Sequence, residues 1–132
     1  MTMGGVVSER RRRDVNFQPS PSDAISVSFS REPVTVRLGD TVLVETDAAI
    51  ILHEPGHPDR HYFPRIDVKM GFLKPSDKST VCPHKGTASY FDIEAKGIHR
   101  TNAAWSYPAA KLGVAEIGGY IAFYDDPDIS IS

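Results

Sequence analysis

The sequence predicts a mainly β fold, small and single-domain, barrel-like, built from several antiparallel hairpins with one short helix. Three observations carry that expectation. Ten Gly and ten Pro are spread through a 132-residue chain rich in Val, Ile, Thr and Tyr, which favours short strands joined by turns over long helices. Apolar residues recur with a period of two in Ile25, Val27 and Phe29, and again in Val34, Val36 and Leu38, as half-buried strands require. Turn-forming pairs such as Gly39-Asp40 and Lys96-Gly97 separate the apolar runs.

Residues 1 to 23 hold Gly4-Gly5, the run Arg10 to Arg13 and Pro19-Ser20-Pro21-Ser22-Asp23, with few large apolar side chains. Burial there cannot offset the entropy of ordering, so these residues read as a flexible N-terminal arm. A single β domain is expected over 24 to 132. It opens on the strand Ile25 to Phe29 and continues through Val34 to Leu38. A Gly-first, type II′ link at Gly39-Asp40 then leads into Thr41 to Thr46.

Ala49 to Glu54 reads as the next strand, reversed by Pro55-Gly56-His57-Pro58-Asp59 before His61-Tyr62-Phe63. Pro64 suits the first position of a short helix over Arg65 to Met70, ended by Gly71. Thr80 to Cys82 is a short strand, and Thr87 to Ala95 a longer one closed by Lys96-Gly97. Ile98 to Thr101, Asn102 to Tyr107 and Tyr120 to Tyr124 complete roughly eight to ten strands, at the spacing of sandwiches and barrels.

Composition narrows the function classes. A formal net charge of −2 supplies no field toward nucleic acid, and the Arg run lacks the interleaved aromatics of a single-strand binder. One cysteine permits no internal disulfide, so a reducing compartment fits best. No apolar run reaches the length of a signal peptide core or a membrane span. A cytoplasmic protein with neither nucleic-acid nor membrane partner is expected.

His53-Glu54-Pro55-Gly56-His57 matches the zinc-protease pattern H-E-x-x-H, but Pro55 and Gly56 break the helix that would put both His on one face. Cys82, His84 and His99 are metal-ligand types without a paired C-x-x-C, so no metal or other cofactor is expected. The glycines from Gly113 to Gly119 lack the Lys and Ser/Thr of a phosphate loop, and there is no G-x-S-x-G elbow.

The loop Cys82-Pro83-His84-Lys85-Gly86 is the leading site. Pro83 extends Cys82 while Gly86 permits a sharp exit, and a neighbouring cation can lower a thiol pKa to give a nucleophile. Catalytic candidates are Cys82, Lys85, Tyr90 and Asp92. Alternation puts Tyr90 with Asp92 on one face and Phe91 with Ile93 on the other, and makes Trp105 and Tyr107 share a face. Lys85, Tyr90, Trp105 and Tyr107 would then form an aromatic-walled, ligand-binding pocket with a cation.

Five ordered segments carry a resemblance: Tyr62-Phe63-Pro64-Arg65-Ile66-Asp67-Val68, Pro75-Ser76-Asp77, Cys82 to Tyr90, Asn102-Ala103-Ala104-Trp105-Ser106-Tyr107-Pro108 and Gly119 to Tyr124. Together they resemble the family catalogued as domain of unknown function 427, over nearly all of residues 24 to 126. The resemblance implies a β-tent architecture similar to methionine sulfoxide reductase B and to a zinc-containing exchange-factor-like chaperone. Those relatives hold zinc through paired Cys, which this chain lacks, implying a metal-free version. The family has also carried a nucleotidyltransferase-like label, for which no paired acidic metal ligands are visible here. Position 84, commonly aromatic in the family loop, is His.

Three functions stay open: a small-ligand or peptide-binding module, an enzyme using Cys82 and Lys85, and a structural homodimer joined through strand edges. The binding module ranks first.

Overall fold

In the computed structural model, which describes residues 25–132, ten strands form three antiparallel sheets. The expected arm and its junction at Ala24 lie outside the described residues. The local turn chemistry sets the first sheet. β2 (Val34–Leu38) buries Val34, Val36 and Leu38 and pairs with β3 (Thr41–Thr46). Of the two linking residues only Gly39 has positive φ, at 59°, as a type II′ link requires. A Cβ at Gly39 would meet Ile98 Cδ1 at 3.1 Å.

The second sheet places β1 (Ser26–Phe29) at the edge, then β4 (Ile50–His53) and β5 (Arg60–Tyr62). The alternation expected in β1 holds only in part: Ile25 is buried and Val27 half-buried, whereas Phe29 is 65% exposed. An outer strand is packed only as far as the core beneath it extends.

The third sheet runs β6 (Leu73–Cys82), β7 (Gly86–Ala95), β8 (Ile98–Ser106) and β9 (Ile121–Phe123). β6 is longer than the Thr80–Cys82 expected, because a register shift between Pro75 and Ser79 absorbs the proline on an edge strand. Lys96 and Gly97 both have positive φ, 48° and 84°, the I′ signature of the β7–β8 hairpin. The two strands expected over 98–107 are one, kinked at Asn102, whose φ is 52°.

Instead of a helix over Arg65–Met70 there are two single 3₁₀ turns, Arg65–Asp67 and Met70–Phe72, with Pro64 ahead of the first. Val68 between them is extended, buried, and bridged to Val44, while the Lys69 N–H donates to the Leu43 carbonyl at 2.8 Å. Tertiary pairing overrides local propensity there. A third 3₁₀ turn spans Ala115–Ile117. The three sheets stay open rather than closing into a barrel. β10 (Ile129–Ile131), too short to show a period, pairs with β2.

The four-stranded sheet carries core residues on both faces. Phe91, Ile93, Ala104 and Phe123 join Val36, Leu38, Leu43 and Val44 in one cluster. Tyr90, Trp105 and Ala122 join Ile50, Leu52 and Tyr62 in the other. Tyr62 and Phe63, adjacent in sequence, serve opposite clusters, and Phe63 exchanges backbone hydrogen bonds with Ile121 at 2.8 and 2.9 Å. This junction fixes the β5 hairpin against the sheet that bears Trp105.

No helix among the described residues is long and apolar enough to cross a membrane.

Candidate functional site

The Cys82–Gly86 loop is a tight hairpin link: Cys82 opposes Gly86, and the Lys85 N–H donates to the Cys82 carbonyl at 3.3 Å. Gly86 has φ 118°, and a Cβ there would approach the Ala109 carbonyl oxygen to 3.1 Å. The following loop clamps it further, as the Lys111 N–H donates to the Lys85 carbonyl at 3.0 Å and Lys111 Nζ to the Pro83 carbonyl at 2.8 Å. With its backbone fixed, Lys85 sends its ammonium to Glu54 Oε1 at 2.9 Å. Both side chains are largely buried, 14% and 21% exposed.

This ion pair borders a cavity of about 180 Å³. The β4–β5 hairpin lines it with Leu52, Glu54, His57, Pro58, Arg60 and Tyr62, and Lys85, Trp105 and Tyr124 complete the wall. Arg60 is held by three groups: Nη1 donates to the Phe123 carbonyl at 2.9 Å and to Asp125 at 3.2 Å, and the guanidinium carbon lies 5.3 Å from the Trp105 ring centre. Trp105 Nε1–H donates to the Tyr62 hydroxyl at 3.3 Å, with the two rings edge to face. Tyr124 packs on the indole at 4.4 Å between centroids.

Of the four residues expected to share a ligand face, Tyr90, Trp105 and Tyr107 join the second cluster and Lys85 lies beside it. Tyr90 opposes Trp105 in register, and Lys85 Nζ lies 6.0 Å from the Tyr107 ring centre. Only Lys85 and Trp105 line the cavity. Tyr90 and Tyr107 are packed in the buried cluster. The Tyr90 hydroxyl sits 2.8 Å from Thr80 Oγ1 and accepts from the Tyr124 hydroxyl at 3.5 Å, so Tyr90 positions a wall residue.

Cys82 is half-buried against the same cluster and is absent from the cavity lining. The cation meant to activate it, Lys85, is engaged by Glu54. Asp92 accepts from the Asn102 N–H at 2.8 Å, which satisfies the donor exposed by the β8 kink. Asp92→Ala is expected to cost about 1–2 kcal/mol in chemical denaturation by orphaning that N–H. Asp92→Asn, which keeps an acceptor oxygen, should cost less.

The H-E-x-x-H letters fall on a strand end and a turn: β4 stops at His53, and the His57 N–H donates to the Glu54 carbonyl at 3.0 Å. Cys82 and His84 sit at one end of β7 and His99 at the other, so those ligand types do not converge.

Sequence reasoning missed Glu54, Arg60, Tyr62 and Tyr124. One signal was present: Leu52 and Glu54 share a face by alternation, and a carboxylate in line with a core leucine needs a cation.

Burial raises the Tyr62 phenol to about 12, chiefly by desolvation. Burial likewise raises Tyr107, and raises Tyr124 to about 12 with help from its hydrogen bond to Tyr90. A raised acid favours the folded state while neutral, so this contribution is complete below pH 10 and is lost as pH rises from 10 through 12. For Tyr62 alone the rise from 10 to about 12 corresponds to about 3 kcal/mol. Denaturation midpoints measured between pH 9 and 12 should therefore fall steeply, and Tyr62→Phe should flatten that fall.

A family model described as Domain of unknown function (DUF427) matches residues 26–131. No curated protein matches the chain. The matched span covers most of the sequence, and the chain belongs to that family.

Proposed function

We propose that this member of the DUF427 family is a binding module for a small planar heteroaromatic compound that carries a hydrogen-bond donor and acceptor on one edge. The observation that supports the reading is the Lys85–Glu54 pair facing the same cavity as the Arg60–Trp105–Tyr124 cluster. Ammonium and carboxylate side by side offer a donor and an acceptor to a ring edge bearing the complementary pair. The Tyr124 phenol, 41% exposed, offers a flat surface for the ring, and the guanidinium adds a cation–π partner.

Size and charge narrow the class. A cavity of about 180 Å³ is below the ~300–1,000 Å³ of most drug-sized ligand sites, which favours one ring or a fused pair. Arg60 and Lys85 against Glu54 leave one net positive charge on the wall, partly offset by Asp125 beside Arg60. The occupant is therefore neutral or singly anionic.

The test is thermal unfolding of the full chain against a panel of lactam- and carboxamide-bearing heteroaromatics. A binder at 100 times its Kd stabilises the fold by about 2.7 kcal/mol. That shift should vanish in Glu54→Met, which removes the acceptor, and persist in Cys82→Ser. A panel that leaves the midpoint of the wild-type chain unmoved at millimolar concentration would overturn the proposal.

A further inference from the structure

We infer that Ser28, His53 and Asp59 form a second site, an acyl-transfer centre that hydrolyses small, activated carboxylic esters. It lies outside the cavity: His53 alternates with Leu52 and Glu54, so it occupies the other face of the β4 hairpin. Ser28 Oγ is 2.8 Å from His53 Nε2, and His53 Nδ1 is 3.0 Å from Asp59 Oδ1. An ionised carboxylate only accepts hydrogen bonds, so Nδ1 carries the proton and Nε2 presents its lone pair to the serine hydroxyl. That is the polarity a serine nucleophile and its general base require.

The register of three adjacent strands builds this row. Ser26 opposes His53 and Ser28 opposes Ile51, which makes Ser28 and His53 diagonal neighbours on one face. Arg60 opposes Leu52, which places Asp59 across from His53. The Ser30 N–H donates to the Ala49 carbonyl, so Ser28 belongs to the same hydrogen-bonded row facing β4. The intervening Phe29 N–H is directed away from β4. It offers an oxyanion donor on the residue next to the nucleophile.

In the reaction the Ser28 oxygen bonds to the acyl carbon while its proton passes to His53 Nε2. The carbon–oxygen bond of the ester breaks and the leaving alkoxide takes that proton. Water then attacks the acyl-serine with His53 as base, releasing the carboxylic acid and restoring Ser28. Asp59 is a positioning residue that fixes the imidazole tautomer. His53 and Asp59 side chains are 38% and 58% exposed, so the face is open, which suits a small acyl group and a good leaving group.

The experiment treats the full chain with a fluorophosphonate and maps the adduct by mass spectrometry, alongside p-nitrophenyl acetate turnover. The adduct is expected on Ser28. Ser28→Ala and His53→Gln should each lower turnover by about 100-fold or more. Asp59→Asn should lower kcat, shift the pH–rate profile and leave KM unchanged. Ser28 is exposed, so its variant should keep the wild-type unfolding midpoint. Wild-type turnover in a folded Ser28→Ala variant, or an adduct confined to other residues or absent, would overturn the inference.

Discussion

Trp105→Ala should destabilise the protein by about 3–5 kcal/mol, the range for truncating a large aromatic in a core. The indole is only 8% exposed. It is enclosed by Tyr62 edge to face, by Tyr124 at 4.4 Å and by the Arg60 guanidinium at 5.3 Å. Its removal also leaves the Tyr62 hydroxyl without its Nε1 donor. Trp105→Phe separates the two contributions, since it keeps a packed ring and loses the hydrogen bond, and should cost about 1–2 kcal/mol. Urea denaturation of the three proteins checks the order. A loss below about 1 kcal/mol for the alanine variant would contradict the packing described.

Lys85→Met should cost about 2–3 kcal/mol, because it strands the Glu54 carboxylate at a site where its side chain is 21% exposed. The estimate is below the ~3–5 kcal/mol of a fully buried pair, in keeping with the residual solvent access. Glu54→Met should lose a similar amount by stranding the ammonium, since it removes both the charge and the acceptor oxygen. The double variant removes both charges at once, so its loss should fall short of the sum of the single losses by about 1–3 kcal/mol. Additive losses would mean that the 2.9 Å contact contributes nothing, and the donor–acceptor edge of the proposed site would go with it.

The features readable in the sequence are those set by neighbours along the chain. Gly39-Asp40 and Lys96-Gly97 announce their hairpins because positive φ is a local demand. Alternation likewise makes Trp105 and Tyr107 share a face, whereas the opposition of Tyr90 and Trp105 is set by the β7–β8 register, which no single strand's pattern carries. β6 was hidden because Pro75 and the adjoining bulge interrupt its period. Val68 defeats the helix expected over Arg65–Met70 because β3, far off in sequence, supplies its partner Val44.

The cavity shows the same division more sharply. Lys85 was visible beside its glycine, but Glu54 lies 31 residues away and the Arg60–Phe123 contact spans 63. No local pattern carries either pairing. Asp92 looked like chemistry because a carboxylate sat beside Tyr90's face, whereas the kink at Asn102, a property of the next strand, engages it.

The binding proposal is tested most directly by the indole N–H resonance of Trp105 in a ¹H–¹⁵N spectrum, since the chain has one tryptophan and it lines the cavity. Titration with a lactam-bearing heteroaromatic should move that single peak saturably in the wild type and leave it in place in Glu54→Met. A panel that moves other amide signals saturably while the Trp105 indole stays fixed would contradict the proposal and put the binding surface elsewhere on the molecule.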